Sequence, residues 1–124
     1  MDKLSSSNMV VYGIKNCNTV KTELDWLSKH NIAFTFHDYK KCGVSDAKLN
    51  EWIKQVGWES LVNKRGTTWK QLDDNIKAKV TNQAAAIALM IEKTSVIKRP
   101  LIEVDGKVVA LGFDENIYKQ NITR

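Results

Sequence analysis

A chain of 124 residues has room for one domain built on one core, because two full cores need a longer chain. Its 43% hydrophobic and 27% charged residues, with one proline and six glycines, fit a soluble globular protein and exclude a disordered one. The net charge of +5 attracts anions in general, but the basic residues are spread along the chain without the aromatic-interleaved cluster of a nucleic-acid module, so nucleic acid is not an expected partner.

No apolar run approaches the roughly 18 residues of a membrane span, and the opening Met1-Asp2-Lys3-Leu4-Ser5-Ser6-Ser7-Asn8 lacks the apolar centre of a signal peptide. The expectation is a cytoplasmic monomer with no membrane attachment, residues 1–8 forming a disordered segment and residues 9–124 a single domain. Cys17 and Cys42 are too few for a disulfide scaffold, which leaves each thiol either inert or chemically used.

Met9-Val10-Val11-Tyr12-Gly13-Ile14 is a short apolar, β-branched run that predicts a buried strand. Val20, Leu24 and Leu27, flanked by Trp26, recur at helical spacing up to Lys29, so a helix starts near Cys17 and closes at Asn31; Asn16 or Asn18 is its candidate cap. The alternation from Ile32 to Tyr39 predicts a second strand. Ser45 or Asp46 caps a helix carrying Leu49, Trp52, Ile53 and Val56 that Gly57 ends. After a turn over Asn63-Lys64-Arg65-Gly66-Thr67-Thr68, a helix is predicted from Trp69 to about Lys79. Thr81-Asn82-Gln83 caps another through the alanine-rich stretch to Ile91. Leu101 to Val104 and Lys107 to Ala110 form a hairpin around Asp105-Gly106, and Asp114 to Ile122 forms a closing helix. The order βαβ, helices, ββα implies an α/β fold with a mixed sheet, its first two strands parallel and its last two antiparallel.

Cys17 falls where a strand hands over to a helix, and the free N–H groups and positive dipole end there favour a thiolate. Lys15 and Lys21 add positive charge. Against this stands the reading of Cys17 as a small buried filler. Cys42, in a loop after the second strand, is too far along the chain for a Cys-x-x-Cys pair; it is either an incidental surface thiol or a spatially close resolving thiol. Of the three arginines, Arg65 in a glycine-containing turn and Arg99 before Pro100 are candidate two-point clamps for an anion, or ordinary surface charges. For Pro100 the residue alone predicts a trans bond, since only about 5% of such bonds in folded proteins are cis. His30 and His37 form no cluster at zinc spacing, so no metal is expected.

Taken together, Tyr12-Gly13-Ile14-Lys15-Asn16-Cys17-Asn18-Thr19-Val20-Lys21, His37-Asp38-Tyr39-Lys40-Lys41, Asn63-Lys64-Arg65-Gly66-Thr67-Thr68-Trp69 and Lys98-Arg99-Pro100-Leu101 resemble the arsenate reductase-like ArsC family, in its YffB-type branch. The resemblance runs over nearly the whole chain after the first eight residues. It implies a thioredoxin-like fold with a helical insertion over about residues 45–93, and a cis Pro100 facing the active cysteine, which reverses the trans expectation. It makes Cys17 the nucleophile, and Lys15, Asn18, Thr19, Lys21, Arg65, Arg99 and Pro100 the residues around an anion or glutathione.

Three departures separate this chain from arsenate reductases. They carry a third arginine where this sequence reads Leu111-Gly112-Phe113-Asp114, a histidine where it has Gly13, and an arginine where it has Lys21. An oxyanion in a partly dry site needs those donors. The resemblance therefore implies a glutathione-dependent thiol reductase with no bound cofactor and glutathione as co-substrate. Arsenate reduction coupled to glutathione and glutaredoxin is the alternative. A further one is a non-enzymatic Spx-like regulator binding RNA polymerase, although Val20 stands where the Spx redox switch has its second cysteine.

Overall fold

The structure, a computed structural model, describes residues 8–15 and 17–112. The disordered segment expected at 1–8 lies, apart from Asn8, outside the described residues, and so does the closing helix expected from Asp114 to Ile122. The chain divides into two compact units, one formed by Met1–Tyr39 with Arg99–Arg124 and the other by Lys40–Lys98.

The first unit holds strand β1 (Met9–Gly13), helix α1 (Asn18–Lys29), strand β2 (Thr35–Asp38), and, after the second unit, strands β3 (Leu101–Val104) and β4 (Lys107–Leu111). They form a four-stranded sheet in the order β2-β1-β3-β4, with β1 parallel to β2 and antiparallel to β3, and β3 antiparallel to β4. This is the mixed sheet of a thioredoxin-like fold. Successive strand residues face opposite sides, so Met9 and Val11 meet Ile102, Val104 and Ala110 on one face, where Trp26 and Leu27 of α1 cover them. Each such side chain removed from water contributes about 1.5–3 kcal/mol, which ties α1 to the sheet and fixes where its first turn lies.

The hairpin forms as its sequence predicts: Asp105 has φ 50° and Gly106 φ 84°, the paired positive values of a type I′ turn, whose twist matches that of the flanking strands. The second strand is shorter than its alternation suggests. Its pairing runs from Val10 opposite Thr35 to Gly13 opposite Asp38, and β1 ends there, so Tyr39 has no strand to pair with and instead opens a short helix, α2 (Tyr39–Cys42). Cys42 thus ends a helix rather than lying in a loop.

Within the second unit, α3 (Asp46–Val56) is capped by Ser45, whose Oγ accepts from the Lys48 N–H at 3.1 Å, and stops at Gly57 with φ 83°. A short helix not foreseen from the sequence, α4 (Trp58–Leu61), follows. The single helix expected from Trp69 to Lys79 is two pieces, α5 (Thr67–Lys70) and α6 (Asp74–Lys79). The break has a local cause: Asp73 accepts from the Asn75 N–H at 2.9 Å, offering the backbone a cap in place of a helical bond. Asn82 caps α7 (Gln83–Glu92) by accepting from the Ala85 N–H at 2.9 Å. Leu49, Trp52, Leu61, Ala86, Met90, Val96 and Ile97 are fully buried. Among the described residues no helix is long and apolar enough to cross a membrane.

Candidate active site

Cys17 caps α1. Its backbone is extended (φ −91°, ψ 125°), its N–H donates to the Ile14 carbonyl at 3.1 Å, and its carbonyl accepts the first helical bond from Lys21 at 3.0 Å. The sulfur therefore sits where the first N–H groups of α1 have no partner within the helix. Asn18, expected as a possible cap, is the first helical residue, and its side chain and that of Thr19 are exposed. Asn16 lies outside the described residues.

Cys17 is half-buried. Partial burial pushes its thiol up, but the Val20 N–H, the Arg99 guanidinium through a hydrogen bond and through its charge, and the Thr19 N–H together hold it below the ordinary thiol value. The sulfur makes no capping hydrogen bond of full geometry, so the backbone acts here mainly as a field of aligned dipoles. Lys15 and Lys21, expected to assist, are exposed and are not among the groups that move the thiol.

Arg99 reaches this position from the end of the chain's return to the sheet. The Arg99-Pro100 bond is cis, as the family resemblance implies and against the expectation from the residue alone. Pro100 is buried, and its carbonyl accepts from the Gly112 N–H at 2.7 Å. The first unit thus brings Cys17 and Arg99 together. Arg65 belongs to the second unit, where it is exposed in a turn shaped by Asn63, whose Oδ1 accepts from the Arg65 N–H at 3.2 Å. A Cβ at Gly66 would stand 2.8 Å from Asn63 Nδ2, which is why the turn carries glycine there. Beside it, Lys64 Nζ lies 5.5 Å from the centre of the Trp69 ring, a cation–π contact.

The site is thus a cysteine at a helix N-terminus beside a half-buried arginine that directly precedes a cis proline. A model of the family described as "ArsC family" matches residues 12–121. The chain belongs to the ArsC family. An uncharacterized protein of Haemophilus influenzae is 44% identical over 111 residues, covering 90% of this chain and 96% of that protein. Among solved structures, a YffB protein superposes with a TM-score of 0.86 at 39% identity, covering 93% of this chain and 99% of that one. An arsenate reductase (ArsC) related protein from Brucella melitensis gives 0.74 at 40% identity, covering 94% and 96%. The two solved structures share the fold of this chain.

Sequence reasoning did not find two features. Glu23, read from the sequence as one charge among several on α1, lies on the buried face with Val20, Trp26 and Leu27. It is 0% exposed, neither carboxylate oxygen has a hydrogen-bond partner among the described residues, and burial pushes the carboxyl up to about 8. The helical period could have flagged it, since position 23 shares a face with 20 and 27. The other feature is a polar cluster of buried Tyr12, Tyr39 and Glu103 with half-buried His37, assembled by the strand register and by the start of α2 at Tyr39.

Proposed function

We propose that the protein is a glutathione-dependent thiol reductase that uses Cys17 as a single nucleophilic thiol. The observation carrying this reading is the Arg99 guanidinium at the Cys17 sulfur. An arginine there increases the fraction of thiolate at neutral pH, and the thiolate is the nucleophile. In the first step the Cys17 thiolate attacks one sulfur of a disulfide substrate, forming a mixed disulfide with Cys17 and releasing the other sulfur as a thiolate that takes up a proton. When the sulfur attacked belongs to glutathione, a second glutathione thiolate then attacks the mixed disulfide, forms oxidised glutathione and returns Cys17. The net change consumes one reduced glutathione: the substrate sulfur leaves as a thiol, and the glutathionyl half of the substrate becomes the other half of oxidised glutathione.

Arg99 has a second part in this scheme. Its planar fork suits a carboxylate of glutathione or an oxyanion of the substrate, and the exposed Asn18, Thr19, Lys15 and Lys21 border the same end of α1. For Arg65 the support is the family resemblance alone.

The test supplies the purified protein with reduced glutathione, glutathione reductase and NADPH, and offers either the mixed disulfide of glutathione with cysteine or, with glutaredoxin added to that arm alone, arsenate. Saturable NADPH oxidation with the mixed disulfide, lost in Cys17→Ser, is expected. Turnover of arsenate alone replaces this reading with arsenate reduction, and turnover of neither substrate overturns it.

A further inference from the structure

The His37-Asp38-Tyr39 stretch has no part in the reaction as written, yet the sheet places it beside the neighbours of Arg99. Parallel pairing sets Tyr12 opposite His37; antiparallel pairing sets Tyr12 opposite Leu101 and Val10 opposite Glu103. Strand alternation then turns Tyr12, His37 and Glu103 to the face away from Val11 and α1. On that face the Tyr12 hydroxyl donates to Glu103 Oε1 at 3.4 Å, and the Tyr12 ring stands 4.9 Å from His37 and 6.2 Å from Tyr39. Tyr12, Tyr39 and Glu103 are only 7%, 1% and 5% exposed.

A carboxylate enclosed to this degree is unfavourable unless a positive group compensates it. The described lysines of the first unit, Lys15, Lys21, Lys29 and Lys107, are all exposed. Arg99 is half-buried with its Nε shut off from solvent, two residues before Leu101, the cross-strand neighbour of Tyr12. Burial and Tyr12 push the Tyr39 hydroxyl up, Arg99 pulls it down, and Glu103 pushes it up, so the charges of Arg99 and Glu103 both reach one phenol oxygen. Arg99 at the same time donates to Cys17.

We infer that Glu103, with Tyr12 and Tyr39, is a positioning residue for Arg99: the buried carboxylate holds the guanidinium where it donates to the Cys17 thiolate. The inference rests on the proposed role of Cys17 as the nucleophile. Its test reads only the acid strength of that thiol and uses no glutathione.

The measurement is the pH profile of Cys17 alkylation by iodoacetamide in the full chain carrying Cys42→Ser. If Glu103 anchors Arg99, Glu103→Gln frees the guanidinium, raises the apparent pKa of Cys17 toward that of Arg99→Ala, and slows alkylation at neutral pH several-fold. In an Arg99→Ala background the same change then adds nothing. A carboxylate acting only as a nearby negative charge gives the opposite sign, because neutralising it lowers the thiol pKa in either background. A fall, or no change, overturns the proposal. Tyr12→Phe keeps the ring and removes the hydroxyl at Glu103; it is expected to raise the pKa by a smaller step, and it decides the matter if Glu103→Gln does not fold, an unchanged profile again overturning the inference. A rise in a protein that turns over no disulfide would leave the positioning intact and remove only the proposed reaction.

Discussion

Val20 of α1 lies directly over Gly13 at the end of β1: a Cβ built on Gly13 would stand 2.8 Å from Val20 Cγ2. Val20 is fully buried, and a β-branched side chain in a helix has essentially one rotamer, so it cannot swing aside. The close approach of strand and helix, and with it the place of Cys17 three residues before Val20, depends on the missing side chain at Gly13.

Gly13→Ala is therefore expected to destabilise the protein by about 1–3 kcal/mol, the usual cost of overpacking, and to slow Cys17 alkylation by displacing the first turn of α1. Urea unfolding and alkylation kinetics check both effects. The same contact bears on the position where arsenate reductases carry histidine: an imidazole there must first move Val20, so Gly13→His is expected to lose stability without gaining arsenate turnover.

Arg99→Ala removes both the hydrogen bond and the charge that lower the Cys17 thiol, leaving burial opposed only by the backbone N–H groups. The thiol pKa rises and the thiolate fraction at neutral pH drops by about tenfold for each unit of rise. Alkylation of Cys17 followed by peptide mass spectrometry against pH measures this. An unchanged profile would mean that the helix terminus alone activates the thiol.

In the proposed single-thiol reaction glutathione, not Cys42, resolves the adduct. Cys42 is exposed at the end of α2. Cys42→Ser is expected to retain glutathione-dependent turnover within about twofold, well inside what loss of a reacting group costs, whereas Cys17→Ser abolishes it. Loss of turnover in both would identify Cys42 as a resolving thiol.

Glu23 makes stability depend on pH with a definite sign. Its carboxyl is raised to about 8 in the folded protein against about 4.3 in an unfolded chain. Below both values the carboxyl is protonated in either state. As pH rises between them the unfolded chain releases the proton while the folded one keeps it, so stability falls across that window and levels off above it. Glu23→Met, which removes an unsatisfied buried group, is expected to gain about 1–3 kcal/mol near neutral pH and to flatten the slope. Urea midpoints at about pH 4 and about pH 8.5, on either side of that window, measure it; parallel behaviour of the two proteins would show that Glu23 is hydrated in solution.

Much of the architecture follows from local rules. The run Met9–Gly13 is apolar and β-branched, Ser45 and Asn82 supply oxygens that cap the helices following them, and Asp105-Gly106 tolerates the positive φ pair of its turn; each of these depends on residues within a few positions. Where neighbours along the chain do not decide, reading the sequence fails. Tyr39 continues an alternating pattern but lacks a partner strand, and Asp73 breaks a helix that its neighbours would support.

The site divides in the same way. The sequence alone places Cys17 at the junction of a strand and a helix, because hydrophobic period and a polar interruption suffice for that, and its motifs point to Arg99. Which cation reaches the sulfur is a tertiary matter: Lys15 and Lys21 are near in the chain yet exposed, while Arg99 arrives from 82 positions away through the pairing of β3 with β1. The cluster of Tyr12, Tyr39 and Glu103 with half-buried His37 exists only once strand register is set, since a slip of one residue would turn each strand's side chain to the other face. Long-range pairing, unlike capping or turn chemistry, is a property of two distant segments at once, and no window along one of them contains it.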